Sequence, residues 1–246
     1  MKKIAFMNYK GGTGKTTTVV NLAYGLSLYK KKVLIIDTDP QGSISHYFGI
    51  ESKYTLYDIL INKTPYQKCI SSIKPYLDII TSSERIFPAE LEMAKFKGRE
   101  KILAFKLKEI TEYDYVFVDT SPSMNLINQN VLVYCDEVFL TTSMEYLALH
   151  GVKQLLKNIA IINKVLHHRI KITKVIPTFY DKRLKKSEDV LNSLKRVFSD
   201  IVTNQIRFST YVSEAAGYKM SIFQYNPQAP VASDYLNLTR EVLKNG

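Results

Sequence analysis

Apolar residues along this chain fall into two alternating patterns: short unbroken runs, and longer stretches in which they recur every three or four positions. Lys3-Ile4-Ala5-Phe6-Met7, Val33-Leu34-Ile35-Ile36, Leu77-Asp78-Ile79-Ile80, Tyr113 to Asp119, Cys135 to Leu140 and Lys171 to Thr178 are of the first kind and predict strands. Thr18 to Leu26, Thr55 to Leu60, Pro88 to Glu112, the segment opening at Glu145, the segment from Ser187 and Val231 to Asn245 are of the second kind and predict helices. Buried strands alternating with helices predict an α/β fold: a doubly wound, mainly parallel sheet with helices on both faces. No repeat, low-complexity linker or composition break divides the chain, so residues 1–246 read as a single domain.

A chain of 246 residues, 46% hydrophobic, can bury a full core. No window reaches the roughly 18 consecutive apolar residues of a membrane span. Asn8 and Lys10 cut short the apolar run after Met1-Lys2-Lys3, so no secretory leader is expected. Cys69 and Cys135 form no disulfide framework, and His46, His150, His167 and His168 show no zinc-like spacing. A reducing cytoplasm is the expected location. The formal charge is +11, and its distribution is uneven: residues 151–246 hold 16 Lys and Arg against 7 Asp and Glu. Such an excess suggests a polyanionic partner, nucleic acid or acidic lipid, against the alternative of a merely solvated lysine surface.

Between the first strand and the first helix lies Asn8-Tyr9-Lys10-Gly11-Gly12-Thr13-Gly14-Lys15-Thr16-Thr17. Three glycines let such a loop wrap closely, so that backbone N–H groups of residues 10–17 point at phosphate oxygens, assisted by the positive end of the helix. Lys15 then sits on the β- and γ-phosphates of a nucleotide, and Thr16 offers a hydroxyl to a bridging Mg²⁺. The bland alternative is a glycine turn. Asp37 and Asp39 follow the second strand and Asp119 ends the fourth, which places all three in the crevice at the carboxyl ends of the strands.

The loop departs from the usual phosphate-loop pattern, since Tyr9 stands where the first glycine belongs. Its Lys-Gly-Gly-Thr-Gly-Lys-Thr-Thr resembles instead the deviant Walker A motif of the ParA/MinD superfamily of ATPases. Asp37-Thr38-Asp39-Pro40-Gln41 resembles that family's switch I turn, and Thr120-Ser121-Pro122-Ser123 its switch II turn, with one proline where two are usual. Ile206 to Ala216 is similar to a further family loop, but Arg207 replaces a proline, and Phe208 and Tyr211 replace arginines.

The resemblance implies a ParA-type partition ATPase using ATP and Mg²⁺. In that reading Lys10 reaches the partner subunit's phosphates, Asp39 positions the attacking water, and Thr16, Asp119 and Asp37 surround the metal. It also implies an ATP-dependent homodimer, non-specific binding to double-stranded DNA, association with the nucleoid, a ParB-like centromere-binding partner and no membrane attachment. With the loop arginines replaced, the expected DNA contacts are Lys182, Arg183, Lys185, Lys186, Lys195, Arg196, Arg207 and Lys219. The rival readings are a MinD-like ATPase with a membrane-inserting terminal helix, and a synthetase or iron–sulfur reductase built on the same loop.

Overall fold

A computed structural model of the chain describes residues 1–244, and of His150 the backbone only. Its sheet comprises β1 (Lys2–Met7), β2 (Val33–Asp37), β3 (Ile70–Lys74), β4 (Leu77–Ile80), β5 (Tyr115–Asp119), β6 (Glu137–Ser143) and β7 (Lys171–Thr178). They lie in the order β3-β4-β2-β5-β1-β6-β7, all parallel except β3, which runs antiparallel to β4 at one edge. The sequence pattern predicts the other six and misses β3. Ile70-Ser71-Ser72-Ile73-Lys74 is too polar to read as an apolar run, and becomes a strand because the turn at Tyr76, with φ 71°, folds β4 back along it.

Side chains of the central strands alternate between two cores, as the pleat requires. Ala5, Met7, Leu34, Ile36, Val116 and Val118 face one layer of helices. Ile4, Phe6, Val33, Ile35, Tyr115 and Phe117 face the other. The Phe6 ring meets those of Phe117 and Phe139 edge-on, with centroids 5.0 and 5.4 Å apart. Burial on both faces is what makes these strands continuous in hydrophobicity.

The helices are α1 (Lys15–Leu28), α2 (Ser43–Phe48), α3 (Leu56–Leu60), α4 (Ile86–Met93), α5 (Ile102–Lys106), α6 (Leu126–Tyr134), α7 (Ala148–Leu166), α8 (Lys185–Phe198), α9 (Thr210–Gly217), α10 (Ile222–Tyr225) and α11 (Pro230–Lys244). Those from α3 to α8 cover the first core, whereas α1, α2 and α9 to α11 cover the second. Helix α1 is buried almost all round because α11 lies directly against it. At Gly25 a Cβ would come within 2.3 Å of the Thr239 hydroxyl, so the close approach of the two helices depends on glycine. Tyr235, Leu238 and Val242 of α11 are buried in that contact. The predicted helix thus docks, and Asn245 lies outside the described residues. Because its apolar side is in the core, it is not offered to lipid as the MinD-like reading needs, and no described helix is long and apolar enough to cross a membrane.

One predicted helix does not exist as a unit. The amphipathic stretch from Pro88 to Glu112 is divided: α4 ends at Met93, Gly98 turns the chain with φ 72°, a single 3₁₀ turn spans Arg99–Lys101, and α5 follows. The apolar spacing survives the break, so periodicity alone could not reveal it. Thr55 caps α3, its backbone N–H donating to Asp58 Oδ2 at 2.9 Å.

Candidate nucleotide site

The loop after β1 is strapped to the ends of β6 and β7. Asn8, fully buried, donates its side-chain amide to the Thr141 carbonyl at 2.7 Å, and its Oδ1 accepts the Lys10 N–H at 2.9 Å. Thr178 donates its hydroxyl to the Thr13 carbonyl at 2.9 Å. Gly12 and Gly14 adopt left-handed φ values of 70° and 75°, which L side chains adopt only under strain. From Gly14 the chain enters α1, whose first residue is Lys15. The loop is therefore held by the adjacent, paired ends of β6 and β7, and it surrounds a cavity of about 540 Å³ closed by Asp39, Gln41, Pro122 and Phe179.

Across this cavity the carboxylates are in different situations. Asp119 is fully buried at the end of β5, and its Oδ2 accepts the Thr16 hydroxyl at 2.7 Å while its Oδ1 has no hydrogen-bond partner. An orphaned buried carboxylate oxygen beside a hydroxyl on a phosphate-loop helix fits a hard cation such as Mg²⁺, which prefers one or two protein oxygens, water and phosphate. Asp37, opposite Asp119 on the neighbouring strand, has both oxygens engaged. Its two oxygens accept the backbone N–H groups of Asp39 at 3.0 Å and Ile44 at 3.3 Å, so it shapes the turn that carries Asp39. Asp39 itself is partly exposed and lines the cavity.

Burial, then the repulsion of Asp119, pushes Asp37 well above the ordinary carboxylate range. Burial also raises Asp119, to about 7, although the Thr16 hydrogen bond and the Lys15 charge oppose it. Lys15 is driven below the usual lysine range by burial, partly offset by Asp119 and Asp39. Three ionisable groups are thus held in a site where each costs free energy to charge, a condition associated with functional sites rather than with folding. Lys10 lies at the other side of the loop, ion-paired to Glu145.

A second cavity, about 570 Å³, opens from the same loop and shares Gly14, Thr16, Thr17 and Phe179 with the first. Its far wall is the segment from Ile206 to Thr210 with Val212, Ser213 and Ala216 of α9. This chamber is not legible in the sequence, because its wall is the stretch where the family pattern is most altered. Phe179, which lines both cavities with a left-handed φ of 54°, carries no sequence signal at all.

A family model described as an AAA domain matches residues 1–172. The sporulation initiation inhibitor protein Soj of Bacillus subtilis (strain 168) is 35% identical over 251 aligned residues, covering 100% of this chain and 99% of that protein. The chromosome partitioning protein ParA of Caulobacter vibrioides is 34% identical, covering 99% and 94%. The chain belongs to the ParA family of partition ATPases. Among solved structures, a plasmid partition protein of Borrelia burgdorferi B31 bound to AMPPNP superposes with a TM-score of 0.85 at 25% identity, covering 100% of this chain and 99% of that one.

Within this ParA fold, the basic residues singled out from the sequence differ in their surroundings. Lys186 lines a cavity with Lys10, Gly11 and Glu145, next to the phosphate loop. Lys195 and Arg196 sit at the opposite end of α8, about 15 Å along its axis. Two of the cations are already paired: Arg183 donates to both oxygens of Asp181 at 3.0 and 2.7 Å, and Arg207 to both oxygens of Asp234 at 2.6 and 2.8 Å. Lys182, Lys185 and Lys219 are exposed, the last with its stem against Gly49. Cys69 and Cys135 are free and buried, which leaves no exposed thiol for the iron–sulfur alternative.

Proposed function

We propose that this ParA-family protein is a Mg²⁺- and ATP-dependent switch that dimerises with nucleotide bound, holds DNA through phosphate contacts and serves plasmid or chromosome partition with a ParB-like partner. The observation that carries the reading is the Thr16–Asp119 hydrogen bond at 2.7 Å with Asp119 Oδ1 left unpartnered, directly beneath the glycine loop. Thr16 and Asp119 would hold the metal, with Asp119 acting through water. When bound, Mg²⁺ neutralises charge between the β- and γ-phosphates.

Lys15 places a compact charge on the same phosphates, and the N–H groups of residues 10–17 cradle them. Asp39, held beside the cavity by the Asp37-ordered turn, orients the attacking water. The base and ribose occupy the second cavity, between Phe179 and the 206–216 segment. Lys10, released from Glu145, reaches the phosphates of a second copy, so that nucleotide binding and dimerisation are one coupled event. Relatives with partition roles support this reading: the Caulobacter protein is a chromosome partitioning protein and the Borrelia protein a plasmid partition protein. Sedimentation with ATP, with ADP and with ATP plus a chelator tests it: a dimer is expected only with ATP and Mg²⁺. A monomer under all three conditions would remove the switch.

A further inference from the structure

The break that divides the predicted long helix has a consequence away from the nucleotide. Helix α3, the end of α4, the turn at Gly98 and α5 enclose a groove of about 410 Å³, within the range of roughly 300–1,000 Å³ typical of specific binding pockets. Leu60, Ile61 and Ile102 line it. Phe96 and Phe105 stand at its sides with 60% and 67% of their surface exposed, and Phe87 and Leu91 of α4 are 66% and 63% exposed. Apolar side chains this open, gathered on one segment, mark an interaction surface rather than the scattered exposure of an ordinary protein face.

The rim is strongly cationic. Lys63, Lys97, Lys101 and Lys106 line the groove against one acid, Glu92, and none of the four lysines has an ion pair among the described residues. Lys108 lies over the Phe105 ring at 5.0 Å, adding a further cation. Burial and then the charge of Lys63 push Lys106 below the usual lysine range, so like charges face each other across an apolar floor. A second copy of a chain carrying +11 does not relieve that repulsion. An acidic one does.

We propose that this groove is a docking site for an acidic, amphipathic segment of a partner protein, with aromatic or leucine anchors seated between Phe96 and Phe105 and flanking carboxylates on the lysine rim. The concave shape favours side-chain anchors over a flat anionic lipid surface. The groove is also connected to the nucleotide site: buried Asn130 of α6 accepts the Leu103 N–H at 3.0 Å and donates to the Arg99 carbonyl at 2.9 Å. At the start of the same helix, Asn128 donates to the Ser121 carbonyl at 2.9 Å, two residues after Asp119.

Fluorescence anisotropy with the random copolymer poly(Glu,Tyr), and with poly-Glu as a charge-only control, tests the site on the full chain. Poly(Glu,Tyr) is expected to bind at least fivefold more tightly than poly-Glu. The double substitution Phe96→Ser and Phe105→Ser should remove that difference, and Lys63→Glu with Lys106→Glu should weaken binding about tenfold. Lys30→Glu with Lys32→Glu, beyond the end of α1 and away from the groove, should change the preference less than twofold. Equal affinity for the two polymers, or a preference that survives both groove variants, would overturn the proposal. So would groove-dependent binding to phosphatidylglycerol vesicles without binding to poly(Glu,Tyr).

Discussion

Lys10 and Glu145 form an ion pair within one chain, joining the first lysine of the phosphate loop to the segment between β6 and α7. Lys10 is also what holds Glu145 below the ordinary carboxylate range. A lysine meant for another subunit's phosphates must leave this partner first. Glu145→Gln should therefore strengthen ATP-dependent dimerisation, by no more than about fivefold because exposed pairs are weak. Lys10→Ala should bind ATP and remain a monomer. Light scattering with a non-hydrolysable ATP analogue measures both, and an unchanged dimerisation constant in Glu145→Gln would make the pair a bystander.

Lys15→Ala should lower ATP affinity by about 100-fold or more, as expected when a charge-assisted contact to phosphate is lost. Its thermal midpoint without nucleotide should not fall, because the buried ammonium it removes is already disfavoured by desolvation. Titration calorimetry and thermal melting read the two effects separately.

Asp119→Asn keeps an oxygen for the Thr16 hydroxyl and removes a buried charge whose second oxygen has no partner. In the absence of nucleotide it should melt roughly 2–6 °C higher than the parent. The further rise that Mg²⁺ and ATP give the parent should be absent from the variant. A lower melting point would show that the carboxylate stabilises the fold instead of serving the metal.

Asp39→Ala should leave ATP affinity within about threefold and reduce kcat about 100-fold, since it spares the cradle and removes the group that orients water. The variant should accumulate as a dimer in size-exclusion chromatography with ATP. Asp37→Ala should behave differently and lose stability, because the N–H groups of Asp39 and Ile44 would lose their acceptor.

If the basic face contacts DNA, affinity should be indifferent to sequence and fall with a log–log salt slope of about −0.9 for each phosphate neutralised. Lys185→Ala with Lys186→Ala should make that slope shallower for every duplex. Arg207→Ala should matter less, its guanidinium being bound to Asp234 on both sides. Gel shifts across a salt series decide this, and no ATP-dependent binding at low salt would remove DNA from the proposed cycle.

Much of this protein is decided locally and is therefore legible in the sequence. Apolar runs at residues 3–7, 33–36 and 115–118 form strands covered on both faces, and the glycines at 11, 12 and 14 between such a strand and a helix form the close-wrapping loop that the sequence pattern anticipates. Relations across space were not legible. The unpartnered oxygen of Asp119 depends on where β5 ends relative to α1. Asp37 takes up the Asp39 and Ile44 N–H groups because of the path the chain follows after β2, and Lys10 finds Glu145 from 135 positions away. Likewise the apolar spacing of 88–112 is the same in one long helix or two short pieces, and the pieces are fixed by the turn at Gly98 and by Asn130 of α6, which takes up the Leu103 N–H and the Arg99 carbonyl beyond it. Periodicity records which side of a segment is buried; where a segment stops and what its charges meet are set by the rest of the chain closing around it.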